Sequence, residues 1–193
     1  MGWCNHTNVD PRSYRCGHCG SLVGSDKGYY FSDEERKGRA GKIYICPHCS
    51  EPTHFRGEGH GEQQIPGIVY GDEVKALPAD VERLYREARD SISVGAYTGS
   101  VLLSRKQLMN IAVSQGAPAG KSFVQYVEYL AENGYVPPKG KGWVDHIRTK
   151  GNEATHEIVA MSKDDAEELI SFSEMLLKFI YEFPSRIPPP KQR

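Results

Sequence analysis

The spacing of apolar residues divides the chain near residue 77. Beyond it, apolar positions recur at helical intervals between short breakers; before it they do not. Between 78 and 95, Val81, Leu84, Tyr85, Ala88 and Ile92 fall at i, i+3, i+4, i+7 and i+11. That predicts a helix with one buried stripe and Pro78 in its first turn. A second helix is predicted over about 98–115, ending before Gly116 and Pro118. A third starts at Ser122, carries Phe123, Val124, Tyr126, Val127 and Leu130, and stops at Asn133-Gly134. After Pro137-Pro138 a fourth is predicted from Trp143 toward His156, with Gly151 inside it. The last begins at Ser162 as N-cap, has Asp164 and Asp165 in its first turn, and buries Ala166, Leu169, Ile170, Leu176, Leu177 and Ile180 before Pro184 ends it. In the first 77 residues, Tyr29-Tyr30-Phe31 and Ile43-Tyr44-Ile45 are β-prone runs. The pattern as a whole predicts a mainly α protein. A bundle of four to five helices over 78–185 follows a small β ribbon over 1–52, with 53–77 as a linker and 186–193 as a flexible tail.

Charge narrows the function classes. The 24 Lys and Arg against 25 Asp and Glu give a formal charge of −1, which excludes a uniformly basic nucleic-acid protein or a polybasic membrane binder. Any polyanion site is therefore local. No apolar run reaches the roughly 18 residues of a spanning helix, and MGWCNHTNVDPR lacks the apolar run of a signal peptide. The expectation is a cytoplasmic protein with no membrane partner.

Four of the five cysteines form two C-x2-C pairs, Cys16/Cys19 and Cys46/Cys49, with 26 residues between the pairs. In a reducing compartment this spacing points to metal rather than disulfides. Two such knuckles complete a closed four-thiolate tetrahedron, so one structural Zn2+ per chain is expected, with no open position for a catalytic water. A redox dithiol is the competing reading, but it calls for one pair in a βαβ unit. His18 and His48 lie inside the knuckles as neighbours of the ligands, and Cys4 is left over.

A second cluster is polar. On a continuous helix Arg148, Asn152 and His156 fall at i, i+4 and i+8, a drifting stripe on one side. A guanidinium fork, a neutral hydrogen-bonding group and a proton-exchanging imidazole suit phosphodiester chemistry on RNA. The same three residues equally suit a structural hydrogen-bond network. Just before them, residues 139–150 hold Lys139, Lys141, Arg148 and Lys150 against Asp145, an excess of +3, so Lys139, Lys141 and Lys150 are candidate nucleic-acid contacts. Arg105 is a candidate partner for Glu87, and His146 reads as a surface or packing residue.

Leu77-Pro78, Glu87-Ala88-Arg89, Gly95-Ala96, Arg105 and the run Ile147-Arg148-x-x-Gly151-Asn152-x-Ala154-x-His156 together resemble a domain-of-unknown-function family of the HEPN superfamily. The resemblance covers about 77–183. It implies a bundle that homodimerises along its long helices, and a place in phage defence, restriction or toxin-type systems, with RNA or a restriction or defence protein as partner. Active members are metal-independent endoribonucleases. By that likeness Arg148 would stabilise the scissile phosphate, His156 would act as acid and base, and Asn152 would orient one of them. Seven residues separate Arg148 from His156, longer than the family's usual four to six, and the step is about 80° around an ideal helix. The alternative is a non-catalytic module that binds nucleic acid or protein through the ribbon and bundle surfaces.

Overall fold

The computed structural model describes residues 2–32, 40–57, 62–137, 142–147 and 160–188. It divides into two compact units, residues 1–69 and 70–193. The expectation of a mainly α protein is corrected: with 46% helix and 20% strand the chain is an α/β mix. The excess strand comes from segments whose alternation is short or interrupted, so their sequence carries little period-two signal.

The first unit is a five-stranded antiparallel meander in chain order. Its strands are β1 (Thr7–Arg15), β2 (Leu22–Ser32), β3 (Ala40–Ile45), β4 (Pro52–Arg56) and β5 (Gln63–Ile65). β2 and β3 contain the two β-prone runs, whereas β4 and β5 lie beside or within the stretch expected as linker. In β4, Thr53 and Phe55 are buried and alternate with outward His54 and Arg56, which is how a half-buried strand behaves. β1 is irregular, with its pairing to β2 shifted between Asn8 and Arg12 around Pro11.

The sheet curls until its two edges meet. Arg12 Nη1 donates to Glu62 Oε1 at 2.7 Å, and Gln64 Nε2 donates to Arg15 O at 2.8 Å. Inside the curl, Tyr14, Tyr44 and Phe55 pack with ring centroids 5.3–6.0 Å apart, mostly edge to face. The Arg12 guanidinium lies 3.8 Å from the Phe55 centroid. Beyond these rings the buried apolar core contains, among the described residues, only Val9, Cys16 and Cys46. Two of its members are thus candidate metal ligands, and so little apolar area stabilises a unit of this size weakly.

The second unit is helical. α1 (Ala79–Ser93), α2 (Tyr97–Ser114), α3 (Phe123–Glu132), α4 (residues 142–147) and α5 (Lys163–Leu177) match the predicted elements where they are described. α2 packs against α1, α3 and α5. Its buried face mixes Val101, Leu108 and Ile111 with Ser100, Ser104 and Gln107, so small and polar side chains sit where neighbouring helices approach. α5 buries Ala166, Leu169, Ile170, Leu176 and Leu177, as expected. It does not stop cleanly at Pro184. A π turn at Lys178–Glu182 leads into α6 (Phe183–Ser185), the widened turn coming just before a residue that has no N–H to donate. Among the described residues no helix is long and apolar enough to cross a membrane.

The predicted cap at Ser162 forms, and Ser122 caps α3 in the same way. Ser122 accepts from Gln125 N and Ser162 from Asp165 N, each in a complete capping box. Ser122→Ala should therefore cost about 1 kcal/mol, read as a lower urea midpoint with unchanged m-value.

A strap at residues 70–77 is tied across this unit. Arg89 Nε and Nη2 donate to the carbonyls of Tyr70 and Gly71 at 2.9 and 2.6 Å. Asp72 N donates to Glu174 Oε2 at 2.8 Å and Lys75 N to Glu182 Oε2 at 3.0 Å. Lys178 joins Asp72 to Glu174. These bonds satisfy strap backbone that has no sheet or helix of its own.

Candidate metal centre

Each C-x2-C pair sits in the turn of a hairpin. β1 and β2 pair as far as Arg15 with Leu22, and β3 and β4 as far as Ile45 with Pro52. Because β2 also pairs with β3 antiparallel, the two turns lie at the same end of the sheet. The turns share one backbone pattern. Cys16 N donates to Ser21 O at 2.9 Å and Gly20 N to Cys16 O at 2.9 Å. In the second turn Cys46 N donates to Glu51 O at 3.0 Å and Ser50 N to Cys46 O at 2.8 Å. Gly20 and Ser50 hold equivalent left-handed positions, with φ of 70° and 64°.

The four sulfurs converge. All lie within 4.8 Å of one another, with Cys16 Sγ 3.8 Å from Cys49 Sγ and Cys19 Sγ 3.9 Å from Cys46 Sγ. A disulfide needs sulfurs about 2.05 Å apart, so these are not bonded pairs. A tetrahedral ion with metal–sulfur bonds of about 2.3 Å requires sulfur–sulfur edges of about 3.8 Å. The contacts match that edge, and the four cysteines could hold one metal ion. Cys16 and Cys46 are fully buried and Cys19 and Cys49 partly so, which gives the shell a core side and a solvent side.

The electrostatics favour a cation. The Ser21 backbone N–H holds the Cys19 thiol down to about 6, whereas burial pushes Cys49 up to about 12 and raises Cys16. Four thiolates this close repel one another, and a divalent ion reverses that balance. His18 and His48 are exposed and outside the sulfur shell; His18 Nε2 lies 3.0 Å from Pro52 O, bridging one turn to the strand after the other.

Sequence reasoning missed what holds the turns. The Trp3 indole Nε1 donates to Ser50 O at 2.6 Å, and Tyr29 Oη donates to Cys4 O at 2.5 Å, so the N-terminal segment is laid on the second turn. The leftover Cys4 is exposed and takes no part in the shell. At Gly17, any Cβ would meet the carbonyls of Pro66 and Gly67 at 2.4 Å, so the chain after β5 presses on the first turn. No local motif encodes these contacts, which join residues far apart in sequence.

In the helical unit, Arg89 serves the strap, and Arg105 lies 4.4 Å from the Phe123 ring centroid with Nη1 buried and unpartnered. Burial lowers the Arg105 pKa. No ion pair joins Arg105 to Glu87 among the described residues; Glu87 instead lines a 240 Å³ groove between α1 and α2 with Arg83, Lys106 and Asn110. His146 Nε2 is 2.5 Å from Glu168 Oε2, tying α4 to α5.

A family model described as Domain of unknown function (DUF4145) matches residues 86–191, more than half of the chain. The chain belongs to this family. No curated protein and no solved structure matches the sequence. The DUF4145 match runs from α1 through the last turn at Phe183–Ser185 and does not include the four-cysteine unit. Of the residues singled out within it, Arg148, Asn152 and His156, with Lys139, Lys141 and Lys150, lie outside the described residues.

Proposed function

We propose that the chain joins a structural zinc ribbon to a DUF4145 domain of HEPN type and acts on RNA as a metal-independent endoribonuclease in a defence, restriction or toxin-type system. The observation that carries the metal half of this reading is the four-sulfur shell, whose edges of 3.8 and 3.9 Å fit zinc. Cys16, Cys19, Cys46 and Cys49 would hold it. There zinc supplies a cross-link between two hairpin turns and no reaction chemistry, since four thiolates leave no site for water or substrate. The catalytic half rests on the resemblance of the Arg148–His156 segment. In this reading Arg148 neutralises charge on the scissile phosphate and His156 exchanges the 2′-OH proton. A homodimer in the cytoplasm would bring two such segments together.

A second reading, a non-catalytic binding module, is favoured by the seven-residue spacer and the net charge of −1. Cleavage separates the two. Zinc-loaded protein without added divalent metal should cleave RNA and leave 2′,3′-cyclic phosphate ends, and Arg148→Ala and His156→Ala should each slow cleavage by roughly 10²-fold or more. Absence of cleavage by wild type across varied RNAs, or unchanged rates in both variants, would discard the nuclease reading.

A further inference from the structure

The curled sheet has a second face that its core does not use. Cross-strand partners project to the same side, so the register sorts the side chains. One row runs Tyr30, Lys42, Phe55, Gln64, and beside it Gly28, Tyr44, Thr53; these belong to the side that carries the buried rings. The opposite side carries the rows Tyr29, Ile43, His54, Ile65 and Phe31, Gly41, Arg56, Gln63.

This outer face is built from flat groups. Phe31 is 59% exposed, which removes it from the core, and Trp3 is 43% exposed with its ring edge-on to Tyr29 at 6.5 Å. Tyr29 is itself fixed by its hydrogen bond to Cys4 O. Opposite Phe31 stands Gly41, and a Cβ there would lie 3.0 Å from His54 Nε2, so the imidazole lies across the space that the missing side chain leaves. The result is a set of ring faces on a floor of Ile43 and Ile65, held by backbone pairing rather than by flexible loops.

Cations flank the rings. Lys27 is on this side of β2 by alternation from Tyr29 and Arg56 on this side of β4, both exposed, and exposed Asp26 lies beside Lys27 where buried Ser25 and Gly28 interrupt the alternation. A chain with a net charge of −1 thus presents Lys27 and Arg56 beside exposed rings. Bases stack on exposed rings while cations track the phosphates, and only unpaired strands can offer their base faces this way.

We propose that the outer face of β2–β5 binds single-stranded RNA, with Phe31 and Tyr29 stacking bases and Lys27 and Arg56 contacting phosphates. The choice of RNA over other single strands rests on the reading under Proposed function; the stacking site itself rests on the geometry above.

The test is binding of a fluorescein-labelled oligouridine to the full zinc-loaded chain by anisotropy, in a His156→Ala background so that cleavage does not intrude. Phe31→Leu should weaken binding roughly 5- to 150-fold, and Phe31→Tyr should restore it. Two phosphate contacts predict a slope of log K against log[salt] of about −1.4, falling to about −0.7 in Arg56→Ala. Zinc content and circular dichroism of each variant should equal those of wild type, because both side chains are exposed. Binding that is absent, unchanged by Phe31→Leu and Arg56→Ala, or equally strong for an RNA duplex would overturn the proposal. So would equal binding of oligothymidine, as regards RNA. Face-dependent binding without cleavage by the chain bearing His156 would leave the site standing and discard the nuclease reading. Cleavage with binding indifferent to Phe31 would do the reverse.

Discussion

Cys46→Ser should strip the chain of its metal and unfold residues 1–69 while the helical unit keeps its circular dichroism. Cys46 is both a candidate ligand and a fully buried member of the small core around Tyr14, Tyr44 and Phe55. A serine hydroxyl stays protonated where the thiol ionises, so the shell loses a ligand and keeps three crowded thiols. Structural zinc supplies about 10–16 kcal/mol of folding free energy in small domains near neutral pH. That exceeds what a core of a few side chains offers. The helical unit has a separate core that includes Val101, Leu108, Ile111, Phe172 and Leu176, and it needs no ligand from the ribbon. Elemental analysis should find one zinc per wild-type chain and none in the variant, with proteolysis confined to the first 69 or so residues. Metal content unchanged in Cys46→Ser would defeat the assignment. His48→Ala, at an exposed side chain outside the sulfur shell, should keep its zinc. Zinc uptake at pH 7 should also release protons, because the Cys49 thiol is held near 12 and Cys16 is raised, whereas Cys19 at about 6 is already mostly ionised. Affinity consequently falls with falling pH.

The four-cysteine cluster was legible in the sequence because its code is local: two C-x2-C turns need only be brought together once. The helices were legible for a related reason. α5 repeats its apolar residues at helical spacing behind a Ser162 cap, and both signals lie within the element. Legibility fails where the determining contact is remote. β4 carries just two inward side chains, Thr53 and Phe55, and β5 is three residues long; each is a strand because a neighbour offers hydrogen bonds. β1 reads as a turn-rich polar stretch, yet Tyr14 and Val9 are core. These short strands made the chain read as mainly α. The same applies to Arg105, expected to pair with Glu87, and to Arg89, whose partners are remote in sequence. The structure gives one of them to strap carbonyls and sets the other against a ring.

Gly71→Ala should destabilise the helical unit by roughly 2–4 kcal/mol, with a melting temperature lower by roughly 10 °C. Two effects add at this position. Its φ of +77° is costly for any residue with a Cβ. A Cβ there would also lie 2.8 Å from Ile170 Cγ2, 3.0 Å from Glu174 Oε2 and 3.1 Å from Tyr85 Oη. Relief by moving Glu174 would disturb its bonds to Asp72 N and Lys178, and relief by moving the strap would strain the Arg89 contacts to Tyr70 and Gly71. Ile170 is fully buried in α5 and Tyr85 nearly so in α1, so neither has room to give. Gly95 supplies the control, with nearly the same φ of +78° and nothing within 4 Å of its added Cβ. Gly95→Ala should therefore show the backbone cost alone, about 1 kcal/mol. The excess at Gly71 measures how tightly the strap is pressed onto α1 and α5. Equal losses in the two variants, compared by urea unfolding with matched m-values, would mean that the strap lifts away freely and that its hydrogen bonds add little to the stability of the unit.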